Sequence, residues 1–383
     1  MEKNISGLRL GILGGGQLGR MLIPECIKLN IEISVLDPDS SCPCSKLCDR
    51  FVHGSLLDFD TVYQFGKGLD VVTIEIEHVN ADALAKLEQE GVLVYPQPSV
   101  IKTVQDKGLQ KRFYKEHGIP TADFFLVESK DELLKSLPDF PFVQKMRTAG
   151  YDGKGVQVMR SQKDLDKAFD VPSVIEHAVD IDKELSVLVA RNAAGEIKTF
   201  PLVELVYDPA ANLVDYLISP ASVSPQIASR AKEVAVKVIS TLDMVGLLAV
   251  ELFLDKSGHI LVNEIAPRPH NSGHQSIEAN ITSQYLQHVR AICNLPLGDT
   301  HATSAAVMLN LLGEQGSQGD VVCEGIESVM KTPGAYLHLY GKKTSRPYRK
   351  MGHITILAAT VDEAMQQAKH LKQVFKIKGK DLV

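Results

Sequence analysis

Glu251, Asn263 and Glu264 stand on the two arms of a sequence that reads as a hairpin, with apolar runs at 247–254 and 260–265 flanking Asp255-Lys256-Ser257-Gly258. With Lys256-Ser257 as the loop, Glu251 faces Val262 and Glu264 is its diagonal neighbour on the same face, about 7–8 Å away at the backbone. Two such carboxylates suit a hard cation. Magnesium takes oxygen ligands, commonly one or two carboxylates together with substrate phosphates. Without a cation or a shared proton the pair would repel strongly. Directly downstream runs Ala266-Pro267-Arg268-Pro269-His270-Asn271-Ser272-Gly273-His274, a loop stiffened by prolines. Arg268 can hold a bicarbonate, phosphate or carboxylate in a fork. His270 can donate a hydrogen bond or carry a proton near neutral pH.

Other clusters could receive anions. Gly14-Gly15-Gly16-Gln17-Leu18-Gly19 follows an apolar strand and opens a helix, with Asp37 at the end of the next strand. This pattern fits a substrate phosphate held by Gly15, Gly16, Gln17 and Leu18, a nicotinamide dinucleotide, or only a tight turn. If 71–77 is one strand, Glu75 and Glu77 share a face, as ligand acceptors or as a solvated edge. Lys145 ends another strand, and Gly150, Tyr151, Asp152, Gly153, Lys154 and Gly155 follow it. The glycines there let backbone N–H groups wrap a phosphate, and lysine adds point charge; the pattern is not a Walker motif. Lys342, Lys343, Arg346, Arg349 and Lys350 put five positive charges into nine residues, which reads as a phosphate clamp or a solvated basic loop.

These groups need rigid elements. Strand-like 8–13, helical 17–29 and strand-like 31–36 and 71–77 alternate, as in a parallel sheet with right-handed crossovers. Tyr95-Pro96-Gln97-Pro98 breaks the chain, and Ser99 caps a helix running to about Gly118. Ser224-Pro225 opens a helix with Ile227, Ala231, Val234, Ala235, Val238 and Leu242 on its buried stripe. A long helix is expected over 276–292, and a last α/β section follows Pro296, ending in a helix with the capping box Thr360/Glu363. The expected domains are 1–98, 99–295 and 296–383. A net charge of −6 over 383 residues argues against a general nucleic-acid binder. No apolar run reaches the length of a membrane span, and the first residues lack a signal-peptide core. The six cysteines lack zinc spacing and read as ordinary thiols of a reducing compartment, so the expected location is the cytoplasm.

The ordered set resembles the ATP-grasp superfamily and, within it, the 5-(carboxyamino)imidazole ribonucleotide synthase family. The resemblance is carried by GGGQLGRM at 14–21, TIEIEHV at 73–79, GYDGKG at 150–155, NEIAPRPHNSGH at 263–274 and RKMGH at 349–353. It implies an α/β chain with an α+β centre: an N-terminal parallel-sheet domain, an ATP-grasp domain and a small C-terminal domain. It also implies ATP as cosubstrate with magnesium, bicarbonate and 5-aminoimidazole ribonucleotide as small-molecule partners, and a homodimer. Carried over by motif, Lys107, Lys145 and Asn263 would meet ATP, and Gly150–Gly155 would close over its phosphates. Glu176 and Val179 would lie at the adenine and Glu184 at the ribose. Glu251 and Glu264 would hold magnesium, with Arg268, His270 and Lys342 catalytic. The ribonucleotide would be held by 15–18, Glu75, Glu77, Tyr151, Asp152, Asn271, Ser272, Lys342, Arg349 and Lys350. Ala149, Val156 and Gln275 depart from the family pattern. A formate-dependent glycinamide ribonucleotide transformylase, from the same superfamily, and a nicotinamide-dependent dehydrogenase are the competing readings.

Overall fold

The structure, a computed structural model, describes residues 5–148, 150, 155–208 and 213–380. The first section is a parallel sheet of β1 (Arg9–Leu13), β2 (Glu32–Asp37), β3 (Arg50–His53), β4 (Val71–Ile74) and β5 (Leu93–Val94), in the order β3-β2-β1-β4-β5. Its strands are runs of Leu, Ile and Val because helices cover both faces: Leu10, Ile12, Val35, Val72 and Ile74 are all buried. Strand order reverses between β1 and β4. The glycine turn and Glu75 lie at the carboxyl ends of these two strands, where open α/β sheets place ligands. Strand β4 ends at Ile74 rather than at residue 77.

A four-stranded antiparallel sheet follows, built from β6 (Phe124–Val127), β7 (Phe142–Met146), β8 (Val156–Met159) and β9 (Ser173–His177) in the order β6-β9-β7-β8. The largest sheet contains β10 (Ile181–Arg191), β11 (Ile197–Thr199), β12 (Val203–Asp208), β13 (Leu213–Ser219), β14 (Gly246–Asp255) and β15 (Ile260–Ala266). The helix Pro225–Thr241 packs on it. Ser224 caps that helix at the N–H of Ile227, and Ala231, Ala235, Val238 and Ile239 are buried against a core that includes Leu185, Val187 and Val250.

The C-terminal section supplies β16 (Ala305–Leu312), β17 (Gly319–Glu324), β18 (Ala335–Leu339), β19 (Thr344–Ser345), β20 (Lys350–Ala358) and β21 (Lys376–Lys380). Strand β16 pairs with β13, from Tyr216↔Leu309 to Ser219↔Ala306, so one sheet runs from the centre into the C-terminal section. The basic loop is thereby held in fixed relation to the acidic hairpin.

Three further local expectations need correction, and each bears on the site. The helix expected from Ser99 to Gly118 is two helices, Pro98–Gln105 and Lys107–Glu116. Asp106 divides them because its carboxylate caps the second, accepting the N–H groups of Gly108 and Leu109. Lys107 therefore opens a helix, with Lys111 one turn along the same face. The long helix expected over 276–292 is likewise two, Ser276–Ala279 and Gln284–Ile292; Asn280 is extended and bridges to Ala302, and Ser283 caps the restart at Leu286. The hairpin register also differs. Asp255 N–H donates to the His259 carbonyl and Gly258 takes φ +83°, giving the three-residue loop Lys256-Ser257-Gly258. A bulge then makes Asn263 the extra residue, so Glu251 pairs directly with Glu264 and Leu252 with Val262.

The first and central sections are joined through a core in which Leu22, Ile23 and Cys26 meet Tyr285, Val289 and Ile292. A buried imidazole adds a polar tie. His288 Nδ1 accepts the Leu247 N–H at 3.2 Å, which leaves the proton on Nε2 to be donated to Thr73 Oγ1 at 2.9 Å. Burial pushes the His288 pKa down to about 3 from 6.5. A group whose folded pKa is depressed in this way leaves the unfolded chain binding more protons between pH 6.5 and 3, so stability falls on acidification. Urea unfolding at pH 7.5 and 5.5 should show a loss of about 1.4 kcal/mol from this group. His288→Gln should flatten the dependence by that amount; an unchanged slope would place the acid sensitivity elsewhere.

Candidate active site

The bulge at Asn263 sets the geometry. Glu251 and Glu264 face each other across β14 and β15. Strand β10 lies on the other side of β14, pairing Ser186 with Glu251 and Glu184 with Phe253, so Glu184, Ser186 and Glu251 share a face. Burial and the nearby Glu264 carboxylate push the Glu251 carboxyl up. Lys107, whose Nζ lies 2.6 Å from Glu264 Oε2, holds the Glu264 carboxyl down. Burial also raises Glu184, against a hydrogen bond from the Tyr207 hydroxyl. Of the three, only Glu264, which an ammonium faces, is held down, while Glu251 and Glu184 are pushed up.

A second carboxylate lies deeper. Glu176 on β9 is 3% exposed and receives Lys111 Nζ on Oε1 and Lys145 Nζ on Oε2, each at 2.8 Å. Lys145 also donates to Asn263 Oδ1 at 2.7 Å, which links the four-stranded sheet to the bulge of the acidic hairpin. The N-terminus of the lysine-bearing helix is fixed by a fork: Arg147 donates through Nε and Nη2 to the two oxygens of Asp106, at 3.0 and 2.6 Å, and its carbonyl accepts the Lys107 N–H.

On the other side of the carboxylates stands the proline loop. The Ser272 N–H and hydroxyl both lie at His270 Nδ1, which directs Nε2 toward Glu251 Oε1, 3.6 Å away. Ser272 Oγ in turn meets Ser186 Oγ at 2.8 Å. Ser272 is buried, so its hydroxyl orients the imidazole rather than facing the cleft. Asn271 is locked in a reciprocal amide pair with Asn310. Arg268 Nε lies 2.9 Å from Glu77 Oε1, joining this loop to the end of the first sheet.

The glycine turn is filled by protein groups. Glu75 Oε2 accepts the N–H groups of Leu18 and Gly19, both at 3.0 Å, at the start of the helix Gln17–Ile27. Gly15 N–H donates to Asp37 Oδ2 at 2.6 Å, and Asp37 Oδ1 accepts from Asp39. Asp37, which a dinucleotide would need for its ribose, already accepts two backbone N–H groups, and the dehydrogenase reading leaves the facing Glu251 and Glu264 without a role. The basic loop approaches the same region. Lys342 and Arg268 both act on Glu75, and Lys350 acts on Glu251. Lys342 Nζ donates to the Lys350 carbonyl at 2.7 Å, while Arg349 donates to the Thr344 carbonyl.

The structure therefore gathers Lys107, Lys145, Glu176, Glu184, Glu251, Asn263, Glu264, Arg268 and His270 along one connected wall, with Glu75, Glu77, Lys342 and Lys350 at one end. Val179 lines a cavity of about 440 Å³ formed with Thr121, His177, Asp180 and the hairpin tip. Tyr151, Asp152, Gly153 and Lys154, together with Ala149, lie outside the described residues. Among those described, no group of three His, Cys, Asp or Glu side chains could hold a metal. A divalent ion between Glu251 and Glu264 would have to take its remaining ligands from phosphate and water. The facing pair, with the Glu251 carboxyl pushed up by burial and by the Glu264 carboxylate, fits that arrangement.

Three family models match consecutive parts of the chain: a ribonucleotide synthetase preATP-grasp domain over residues 8–105, an ATP-grasp domain over 112–285, and a phosphoribosylaminoimidazole carboxylase C-terminal domain over 306–367. The N5-carboxyaminoimidazole ribonucleotide synthase of Bacillus subtilis is 36% identical over 376 residues, covering 96% of each chain. The chain belongs to the N5-carboxyaminoimidazole ribonucleotide synthase family. The solved synthetase of Thermotoga maritima superposes with a TM-score of 0.91 at 42% identity, over 97% of this chain and all of that one. The synthase of Aspergillus clavatus in complex with ADP and 5-aminoimidazole ribonucleotide gives 0.87 at 34%, over 96% and 98%. The chain also spans 64% of the length of the chloroplastic phosphoribosylaminoimidazole carboxylase of Vigna aconitifolia, at 40% identity over 92% of this chain.

Within this synthase-family fold, residue-by-residue reading missed Lys111, the Asp106–Arg147 fork, Tyr207, Ser186 and Asn310. Only Lys111 left a signal, four residues after Lys107. The glycine turn yields a stability test. A Cβ on Gly16 would come within 2.5 Å of Glu75 Oε1. Gly16→Ala should push that carboxylate off the two amides and cost about 1–3 kcal/mol for a buried acceptor left unpaired. Gly7→Ala, at φ +79° in open surroundings, should cost about 1 kcal/mol from backbone strain alone. Equal losses in equilibrium unfolding would refute the Glu75 contact.

Proposed function

We propose that the chain is an ATP-dependent carbon–nitrogen ligase that carboxylates the exocyclic amine of 5-aminoimidazole ribonucleotide, giving 5-carboxyaminoimidazole ribonucleotide, ADP and phosphate, in purine biosynthesis. The supporting observation is the placement of two facing carboxylates and three lysines at one end of a continuous wall, with Arg268 and the basic loop at the other. Bicarbonate is a poor electrophile. Transfer of the γ-phosphoryl group from ATP to a bicarbonate oxygen makes carboxyphosphate and releases ADP. Attack of the amine nitrogen on its carbon then forms the C–N bond, expels phosphate and releases one proton.

The protein's part in such chemistry is alignment and charge neutralisation. Lys107 and Lys145 already sit on carboxylates that a polyphosphate would displace, and Asn263 offers an amide beside them. Gly150 and Gly155 flank the expected lid, Val179 and Glu184 line the approach for the nucleoside, and Glu176, buried behind the lysines, acts through Lys145 rather than by touching the nucleotide. Glu251 and Glu264 would hold magnesium, which supplies charge neutralisation to the phosphates when bound. Arg268 supplies a fork for bicarbonate. His270, with Nδ1 engaged by Ser272, holds its proton on Nε2 beside the carboxylates. Gly15–Leu18, Glu75, Glu77, Asn271, Lys342, Arg349 and Lys350 surround the ribonucleotide. Bicarbonate and the homodimer rest on the family resemblance, and a cytoplasmic location on the sequence reading, which six cysteines outside any disulfide fit.

The direct test is phosphate release with ATP, magnesium and bicarbonate, with and without 5-aminoimidazole ribonucleotide. Release that requires the ribonucleotide's amine and carries labelled bicarbonate into product supports the reading; release that needs formate instead assigns the transformylase. Glu264→Gln should leave the fold intact and lower turnover by several kcal/mol in the transition state. Near-normal turnover at modest magnesium would remove Glu264 from the metal site. Lys342→Ala should raise the KM for ribonucleotide tenfold or more, about 1.4 kcal/mol, with the KM for ATP within a factor of two. The reverse pattern would make the basic loop an ATP site.

A further inference from the structure

The lysine that sequence reading missed carries a role of its own. Lys111 is 3% exposed, on the helix Lys107–Glu116. Its ammonium touches Glu176 Oε1 at 2.8 Å and Thr121 Oγ1 at 2.5 Å, and that hydroxyl donates onward to the Val262 carbonyl, next to Asn263. Thr121 also bridges to Val262 through the backbone. Lys111 is therefore tied to both the strand bearing Glu176 and the strand bearing Glu264. Lys145 shares Glu176 but is less enclosed, with 11% of its side chain exposed against 4% for Lys111, and it reaches Asn263 in the cleft wall.

Two ammonium groups on one carboxylate leave one positive charge in excess. The ion that can leave at least cost is the one nearer solvent, because the carboxylate it abandons keeps a partner. We infer that Lys111 is the positioning residue of the nucleotide site: it acts as the permanent counter-ion of Glu176, so that Lys145 can leave that carboxylate for an incoming phosphate. Without Lys111, Glu176 would have Lys145 as its sole counter-ion, and a phosphate would have to break a buried pair and strand a carboxylate. Burial lowers the Lys111 ammonium to about 8, opposed by Glu176, so the group is charged at neutral pH.

This inference rests on the reading of the wall as an ATP site, and the test separates the two. ATP binding is measured by calorimetry at pH 7 on the full chain, without turnover. Wild type that fails to bind ATP sinks the ATP-site reading itself. Given binding by wild type, Lys111→Met should weaken ATP at least tenfold while leaving ribonucleotide affinity within a factor of two. Lys111→Met combined with Glu176→Gln should recover most of the lost ATP affinity, since it removes the carboxylate that traps Lys145; a purely structural role predicts a double variant as poor as the single one or worse. Should Lys111→Met not fold, Glu176→Gln alone decides: ATP affinity at or above wild type supports the assignment. Wild-type ATP affinity in Lys111→Met, no recovery in the double variant, or weakened ATP in Glu176→Gln overturns it.

Discussion

Negative charge cannot be concentrated on a partly enclosed β-hairpin without cations to face it, and this constraint organises the molecule. Glu251 and Glu264 are brought opposite each other by one extra residue, Asn263, in β15. Coulomb repulsion across that pair sets what its neighbours must be. Lys107 neutralises one carboxylate, Lys350 and His270 stand near the other, and Lys111 and Lys145 neutralise Glu176 a few residues away in space. The three lysines come from two elements, and the Asp106–Arg147 fork locks those elements together. A charge pattern that would be repulsive on one strand becomes cohesive once the helix, the four-stranded sheet and the hairpin converge.

The same constraint supports the proposed use of this surface by an anion together with a divalent ion. In the free protein Lys107 lies on Glu264 while Lys111 and Lys145 share Glu176, so each ammonium has a carboxylate partner without ligand. A magnesium polyphosphate presents both partners at once: the metal for the carboxylates, the phosphate oxygens for the lysines. Exchange of this kind keeps the number of charge pairs roughly constant, so little solvation is lost as the ligand enters. At the opposite end, Arg268 is paired with Glu77, and Glu75 fills the helix N-terminus at the glycine turn. A ribonucleotide there would compete with carboxylates that already occupy its hydrogen-bond donors.

Legibility in the sequence followed the range of the interaction. The parallel sheet, the helix from Pro225 and the acidic hairpin were readable because period, caps and turn residues are local. The identity of Glu251 and Glu264 as a pair was readable too, but their register was not. It depends on a three-residue loop and a bulge, and each shifts pairing by one residue in a way that neighbouring residue types do not announce. The two helices divided at Asp106 were misread for a related reason. An aspartate inside a helical pattern can be a surface residue or a cap, and only Arg147, 41 positions later, decides for the cap. Glu75 and Glu77 were placed on a strand that stops at Ile74, since the pull of the Leu18 and Gly19 amides is a tertiary contact.

The glycine turn shows that a motif does not by itself name the group its backbone receives. Three consecutive glycines before a helix allow close approach to the backbone, and the familiar reason for close approach is a phosphate. Here the approaching group is a side chain of the same chain. A Cβ at Gly14 or Gly16 would lie 2.5 Å from Glu75, and one at Gly15 would meet Cys42 and Asp37. The glycines are therefore required by packing before any ligand is considered. A carboxylate at a helix N-terminus answers the same dipole as a phosphate would. The motif reports an anion at that spot, and the fold determines that the anion is Glu75. What then faces the cleft is the far side of that carboxylate with Lys342 and Arg268 acting on it, a surface that presents positive charge to a ligand without leaving a buried cation unpaired.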